Sequence, residues 1–209
     1  MRLFVEGLFI KVSGVTSEQD ALMAIGLGAN AVAFDFRPSE RRVEPDAAYE
    51  IIRRMPPEAN SVGRFRHELP TRIVEVANRL GLSAVEIEGS IPATDLAYIA
   101  QRVHTVIRVL DDLRAGVGEG VDYVQCPEDP ARLNDVLAGV ETAARPVIVG
   151  GELTADEVSE VVQHFPVWGV DAGRAVESAT GVMDPALLGD FIANARWAES
   201  NSYVRRSGD

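Results

Sequence analysis

The chain has 209 residues, 46% hydrophobic and 25% charged, which fits one globular domain with a sizeable core. Its 20 basic residues against 32 acidic ones leave a net charge of −12, which argues against a nucleic-acid partner or an anionic membrane surface. The single cysteine, Cys126, excludes an internal disulfide and a cysteine metal cluster, and an intracellular, cytoplasmic location is expected. Residues 1–7 are too short and too charged for a signal peptide and read as a short extra strand or a frayed end. No apolar run is long enough to span a bilayer.

Taken in order, Phe9-Ile10-Lys11-Val12-Ser13 reads as a strand of β-branched and aromatic residues broken at Gly14. Thr16 or Ser17 can cap the helix that follows over 18–27, which Gly28 stops. Strands are then expected at 31–36, 61–67, 83–88, 105–110, 121–126, 146–150 and 168–172. Helices are expected at 45–55, 70–80, 94–102, 130–138, 155–164 and 185–197, with room for only a helical stub at 113–115. Strand and helix alternate eight times, so the class is α/β with a parallel sheet. Eight units in this length favour a closed (β/α)8 TIM barrel over 1–197, with a polar, disordered tail over 198–209. The first strand–helix turn lacks the Gly-x-Gly-x-x-Gly fingerprint of a dinucleotide fold.

Lys11-Val12-Ser13-Gly14-Val15-Thr16 resembles the first-strand motif Lys-Ile-Cys-Gly-Ile/Val-Thr of phosphoribosylanthranilate isomerase, a family of tryptophan biosynthesis. Further matches follow in order: Gly28-Ala29-Asn30-Ala31-Val32, Arg41-Arg42-Val43, Val62-Gly63-Arg64-Phe65, Gly169-Val170-Asp171, Val176-Glu177-Ser178 and Gly181-Val182-Met183-Asp184-Pro185. The resemblance implies a TIM barrel, an Amadori rearrangement at its mouth and no cofactor. It also implies roles. The family's cysteine base falls on Ser13, and a serine hydroxyl is no base near neutral pH unless another group takes its proton. The family's aspartate acid falls on Pro127, which has no proton to give. Glu128 and Asp129 follow closely, but only a register shift would use them.

The implied phosphate grip departs too. Gly150-Gly151-Glu152-Leu153 carries Glu152 where the family has a glycine, and an anion there repels phosphate. Arg174 stands in a serine's place, where it can bind phosphate or pair with Glu152. Arg41 matches the arginine that meets the anthranilate carboxylate, Asp171 matches the strand-eight aspartate, and Lys11 is kept.

Asp35, Arg64, Arg66, Glu86, Glu88, Arg108 and Gln125 all fall inside strand segments, where parallel sheets are usually apolar. Parity places Arg64 with Arg66, and Glu86 with Glu88, on one face each. These charges read either as interior salt bridges or as a rebuilt polar site. The candidate catalytic residues are Ser13, Glu88 and Asp171, and the candidate binding residues are Lys11, Arg41, Arg66, Arg108, Glu152 and Arg174. The expected ligand is a small anionic molecule, on a monomer or homodimer whose contact is a bare apolar strip beside the stub. The scattered His67, His104 and His164 offer no metal spacing, and Cys126 reads as a core thiol. His67 ends strand three at the mouth, where it is either a proton shuttle or merely exposed.

Three functions fit these residues. The first is a small-molecule enzyme at the barrel mouth that has lost the Amadori isomerisation. The second is a non-catalytic binding barrel. The third is a true isomerase with Ser13 as a weakened base and Glu128 or Asp129 as acid. Unpaired Glu88 and Arg66 in an open pocket would favour the first, and closed ion pairs with Glu152 on Arg174 the second.

Overall fold

The computed structural model describes residues 3, 7–110, 117–126, 139–140, 143–150 and 152–202. Its strands close into a barrel in chain order: β1 Phe9–Ser13, β2 Ala31–Asp35, β3 Asn60–Arg66, β4 Ala84–Glu88, β5 Val106–Val109, β6 Tyr123–Gln125, β7 Val147–Gly150 and β8 Gly169–Ala172. All neighbours are parallel, and β8 closes onto β1 with Phe9 opposite Gly169. Helices α1 Glu18–Gly26, α2 Pro45–Ile52, α3 Pro70–Leu80, α4 Ala93–Ala100, α5 Ala155–His164 and α6 Pro185–Ser200 connect them. The (β/α)8 TIM barrel expected from the sequence is the fold.

Local chemistry sets where the helices begin and end. Pro45, Pro70 and Pro185 stand in first turns, where a missing N–H loses nothing. Ser17 accepts the N–H of Asp20, and Thr154 and Glu157 form a reciprocal capping box. Gly81, at φ 64°, ends α3 in the left-handed region.

Strand parity divides the apolar residues into two cores. Ile10, Val12, Phe34, Phe65, Val85, Ile87, Val124 and Val149 face the helices. Phe9, Ala31, Ala33, Val62, Ala84, Ile107, Tyr123 and Ile148 fill the barrel's lower interior. There the Phe9 ring stacks on Trp168 at 4.6 Å between centroids, and Trp168 lies 4.1 Å from Tyr123. The Tyr123 hydroxyl donates to the Leu3 carbonyl at 3.1 Å, and Leu3 is buried among these residues. Leu3 is therefore packed into the barrel base, and residues 1–2 and 4–6 lie outside the described residues.

One other expectation needs correction. The tail was expected from residue 198, yet α6 runs to Ser200 with Ala198 and Ser202 buried. The reason is that Leu188, Phe191, Ile192, Ala195 and Ala198 continue one apolar face at spacings of three and four. Between β8 and α6 the chain forms a 3-10 turn at Arg174–Val176 and a hairpin of β9 Glu177–Ala179 with β10 Val182–Met183. The expected stub at 113–115, the helix at 130–138 and the tail at 203–209 lie outside the described residues. Among those described, no helix is long and apolar enough to cross a membrane, and no three His, Cys, Asp or Glu side chains gather to hold a metal ion.

Candidate active site

Above the lower core, the inward positions of the strands turn polar. Lys11 and Ser13 on β1, Asp35 on β2, Arg64 and Arg66 on β3, Glu86 and Glu88 on β4, Gln125 on β6 and Asp171 on β8 share the interior parity. The register pairs Arg64 with Glu86 and Arg66 with Glu88 across the β3–β4 seam. The two face assignments made from parity therefore hold, and they face each other.

The lower tier is a closed network. Lys11 is fully buried and donates from Nζ to Glu86, to Gln125 Oε1 at 2.7 Å and toward Asp171 Oδ2 at 3.2 Å. Arg64 Nε donates to the other Glu86 oxygen at 2.7 Å. Burial by itself would raise the Glu86 carboxyl, but Arg64 and Lys11 outweigh it and hold it down to about 2. Asp171 Oδ2 accepts from Ser13 Oγ and from Gln125 Nε2, both at 2.9 Å. Lys11 thus lies beneath the site instead of lining it. Its ammonium is taken up by neighbours that need it.

The upper tier is organised by Arg37, which the sequence reading left in a loop. Its Nε and Nη2 donate to the two Asp35 oxygens, each at 2.8 Å, and its Nη1 donates to Glu88. Burial works against the Asp35 charge, yet the Arg37 fork outweighs it and holds the carboxyl below its usual range. Arg37 stands two residues past Asp35, beyond the end of β2, where no strand alternation marks it. Glu88 also meets Arg66 at 3.5 Å, so neither stands unpaired. Across the mouth, Arg41 forks onto Glu177 at 2.6 and 2.5 Å, directly over Gly14. Arg174 pairs with Glu152, as the second of its two expected roles required.

A cavity of about 370 Å³ opens here, lined among the described residues by Ser13, Gly14, Asp35, Ser39, Gly173, four arginines (37, 41, 64 and 174), Glu88 and Glu177. Asp171 lies just below it, fully buried. Arg66 instead lines a neighbouring cleft.

Arg108 is the residue the structure moves furthest from expectation. It pairs in register with Ile87 and Val124, both facing the helices, while Ile107 fills the interior. It therefore points away from the mouth and cannot hold a ligand there. In a continuous apolar run, alternation gives no phase, so the sequence could not say which side was in. Cys126 also faces the helix layer, and burial pushes its thiol up to about 12, as a core thiol requires. Pro127 and the acid candidates Glu128 and Asp129 lie outside the described residues, as does Gly151.

Gly150 shows how little slack the site has. A Cβ there would stand 2.3 Å from Asp171 Cβ and 2.8 Å from its carbonyl oxygen. Gly150→Ala is expected to destabilise the barrel by about 1–3 kcal/mol in chemical denaturation, because Asp171 must shift off Ser13 and Gln125.

Comparison with known proteins shows the family. The family model described as N-(5'phosphoribosyl)anthranilate (PRA) isomerase matches residues 91–194. An N-(5'-phosphoribosyl)anthranilate isomerase of Geotalea uraniireducens (strain Rf4) is 33% identical over 198 residues, spanning 90% of this chain and 98% of the relative. The enzyme of the same name from Geobacter sulfurreducens is 31% identical over 204 residues, with 90% and 98% covered. The phosphoribosyl anthranilate isomerase structure from Thermotoga maritima superposes with a TM-score of 0.81 at 26% identity, covering 91% of this chain and 99% of that one. A phosphoribosyl anthranilate isomerase in complex with reduced 1-(o-carboxyphenylamino)-1-deoxyribulose 5-phosphate gives a TM-score of 0.80 at 27% identity over the same shares. With fold, motif order and near-full-length identity in agreement, the chain belongs to the N-(5'-phosphoribosyl)anthranilate isomerase family.

Proposed function

We propose that this barrel binds a small, polar, anionic molecule in its mouth cavity and does not carry out the isomerisation for which its relatives are named. The observation that carries the reading is the cavity lining. Four arginines, three carboxylates and two serines surround it, with backbone at Gly14 and Gly173 and no apolar side chain among the described residues. The arginines outnumber the acids by one, which suits a hydroxylated anion such as a sugar phosphate. Arg174 can turn to such an anion most cheaply, because its pair with Glu152 is half exposed and screened. The relative solved with a 5-phosphate compound supports a small anionic ligand.

The loss of isomerisation rests on Ser13. Its neutral hydroxyl donates a hydrogen bond to Asp171, whose charge is already engaged by Gln125 and Lys11. A neutral hydroxyl is a weak base, and a carboxylate so engaged is a weak final acceptor for the proton it would pass on. Closed pairs at Glu88, Arg66, Glu152 and Arg174 favour binding over a rebuilt acid–base site. One contact favours the alternative of a true isomerase: Ser13 could relay a proton to Asp171 at 2.9 Å.

Assaying N-(5'-phosphoribosyl)anthranilate decides between them. We expect no turnover above background, while ribose 5-phosphate shifts the NMR amide signals of Ser13, Gly14 and Gly173. Robust turnover would establish the relay instead, and unmoved amides would remove the mouth as a ligand site.

A further inference from the structure

The helices that flank β1 have an outward face unlike their neighbours. Among the described residues, seven large apolar side chains are exposed. Five of them, Leu22, Leu27, Val182, Leu187 and Trp197, lie on α1, on α6 or in the turns beside them. Two contacts tie these helices into one face. At the mouth end, Thr16 Oγ1 donates to the Gly181 carbonyl at 2.6 Å, and at the base Arg196 Nη2 donates to the Gly28 carbonyl at 3.2 Å. Glu18, Arg196 and Glu199 are partly exposed and paired, which leaves Asp190 as the one fully exposed charge of the two helices. By contrast α5, packed beside α6, exposes Asp156, Glu157 and Glu160.

We propose that this face is the contact between two copies of the chain, in a two-fold dimer whose α6 helices pack antiparallel across the axis. This goes beyond the reading of the mouth and does not depend on it. It is also a different face from the strip expected beside residues 113–115. Shape is the first argument. Ala186, Gly189, Ala193 and Trp197 recur at spacings of three and four, so they share one stripe of α6. A Cβ at Gly189 would meet nothing within 4 Å. Packing within one chain therefore does not call for a glycine there, where it weakens a helix interior. A two-fold axis at Ala193 sets Trp197 of each copy opposite Gly189 of the other, a knob over a hollow on both sides at once.

Charge selects the same occupant. Each chain carries −12, so two copies repel wherever their acidic faces meet. This flank is where they can meet without that cost. The antiparallel arrangement sets the two Asp190 positions about 9 Å apart along the helix axes, near a Debye length. A basic partner would be drawn to the acidic faces instead. The size also suffices. The 16 residues of α6 run about 24 Å and two helices are about 20 Å wide, so the contact buries on the order of 1,000 Å² over both copies, the lower bound for a specific dimer. The helices lie along the barrel wall, so both mouths stay open in the pair.

The test is sedimentation velocity of the full chain across concentration. A two-chain species is expected to replace the monomer between about 1 and 200 μM, the range that a contact of this size supports. Trp197→Ala should weaken the association about tenfold, as the loss of a central aromatic anchor does. Ala193→Glu, which sets two like charges on the axis, should abolish it. Both positions are exposed, so circular dichroism should report an unchanged fold. Tyr49→Glu adds the same charge at an exposed apolar residue off this flank and should leave the dimer intact. A chain that stays monomeric at the highest concentration would overturn the assignment and leave the face to a different protein. A dimer that survives Ala193→Glu, or is lost in Tyr49→Glu, would place the contact on another surface and overturn it as well.

Discussion

Lys11→Met is expected to lower folding stability by about 3–5 kcal/mol, measured by urea unfolding at neutral pH. The ammonium is fully buried and contacts Glu86, Gln125 and Asp171. Methionine matches the length of the stem but leaves two carboxylates with less compensation in a fully buried region. Arg64 still faces Glu86, which keeps the loss within that range. Adding Glu86→Gln to Lys11→Met should recover part of the loss, since the two changes act on one contact and are not additive. A single-variant loss below about 1 kcal/mol would mean that the ammonium is not buried among these groups.

Acid should unfold the protein through the same tier. The Glu86 carboxyl is held at about 2 in the fold against an ordinary value of 4.5. Because the folded value is depressed, the stabilisation is fully present above pH 4.5 and is lost as pH falls toward 2. By linkage it amounts to about 3 kcal/mol. Urea midpoints taken across that window should fall in the wild type. The difference between the wild type and Glu86→Gln should shrink toward the acid end. A constant difference across the window would show that Glu86 is not held ionised by Arg64 and Lys11.

The fold was legible because its signals are local and repeated. Each strand is a short β-branched run and each helix has its own cap, proline or glycine, so eight units could be counted without tertiary information. Residues 70–80 and 155–164 match α3 and α5 end to end, where proline and a capping box mark the starts. The face of a charged residue was legible only where two charges sat two apart, as with Arg64 and Arg66 or Glu86 and Glu88. Arg108 stood alone in an apolar run, so nothing fixed its phase. Arg37 was missed for another reason: its role comes from folding back on Asp35 and across to Glu88, and a loop position carries no periodicity. The closing of Arg41 onto Glu177 joins residues 136 positions apart, a pairing that no window of sequence contains.

The ladder between β3 and β4 also governs how this barrel can change. Arg64 faces Glu86 and Arg66 faces Glu88, so the two strands are chemically interlocked. Replacing Glu86 by a neutral residue takes from Arg64 and Lys11 the carboxylate they share, and replacing Arg64 leaves Glu86 with one cation fewer. A change toward a neutral interior therefore costs least when both strands alter together.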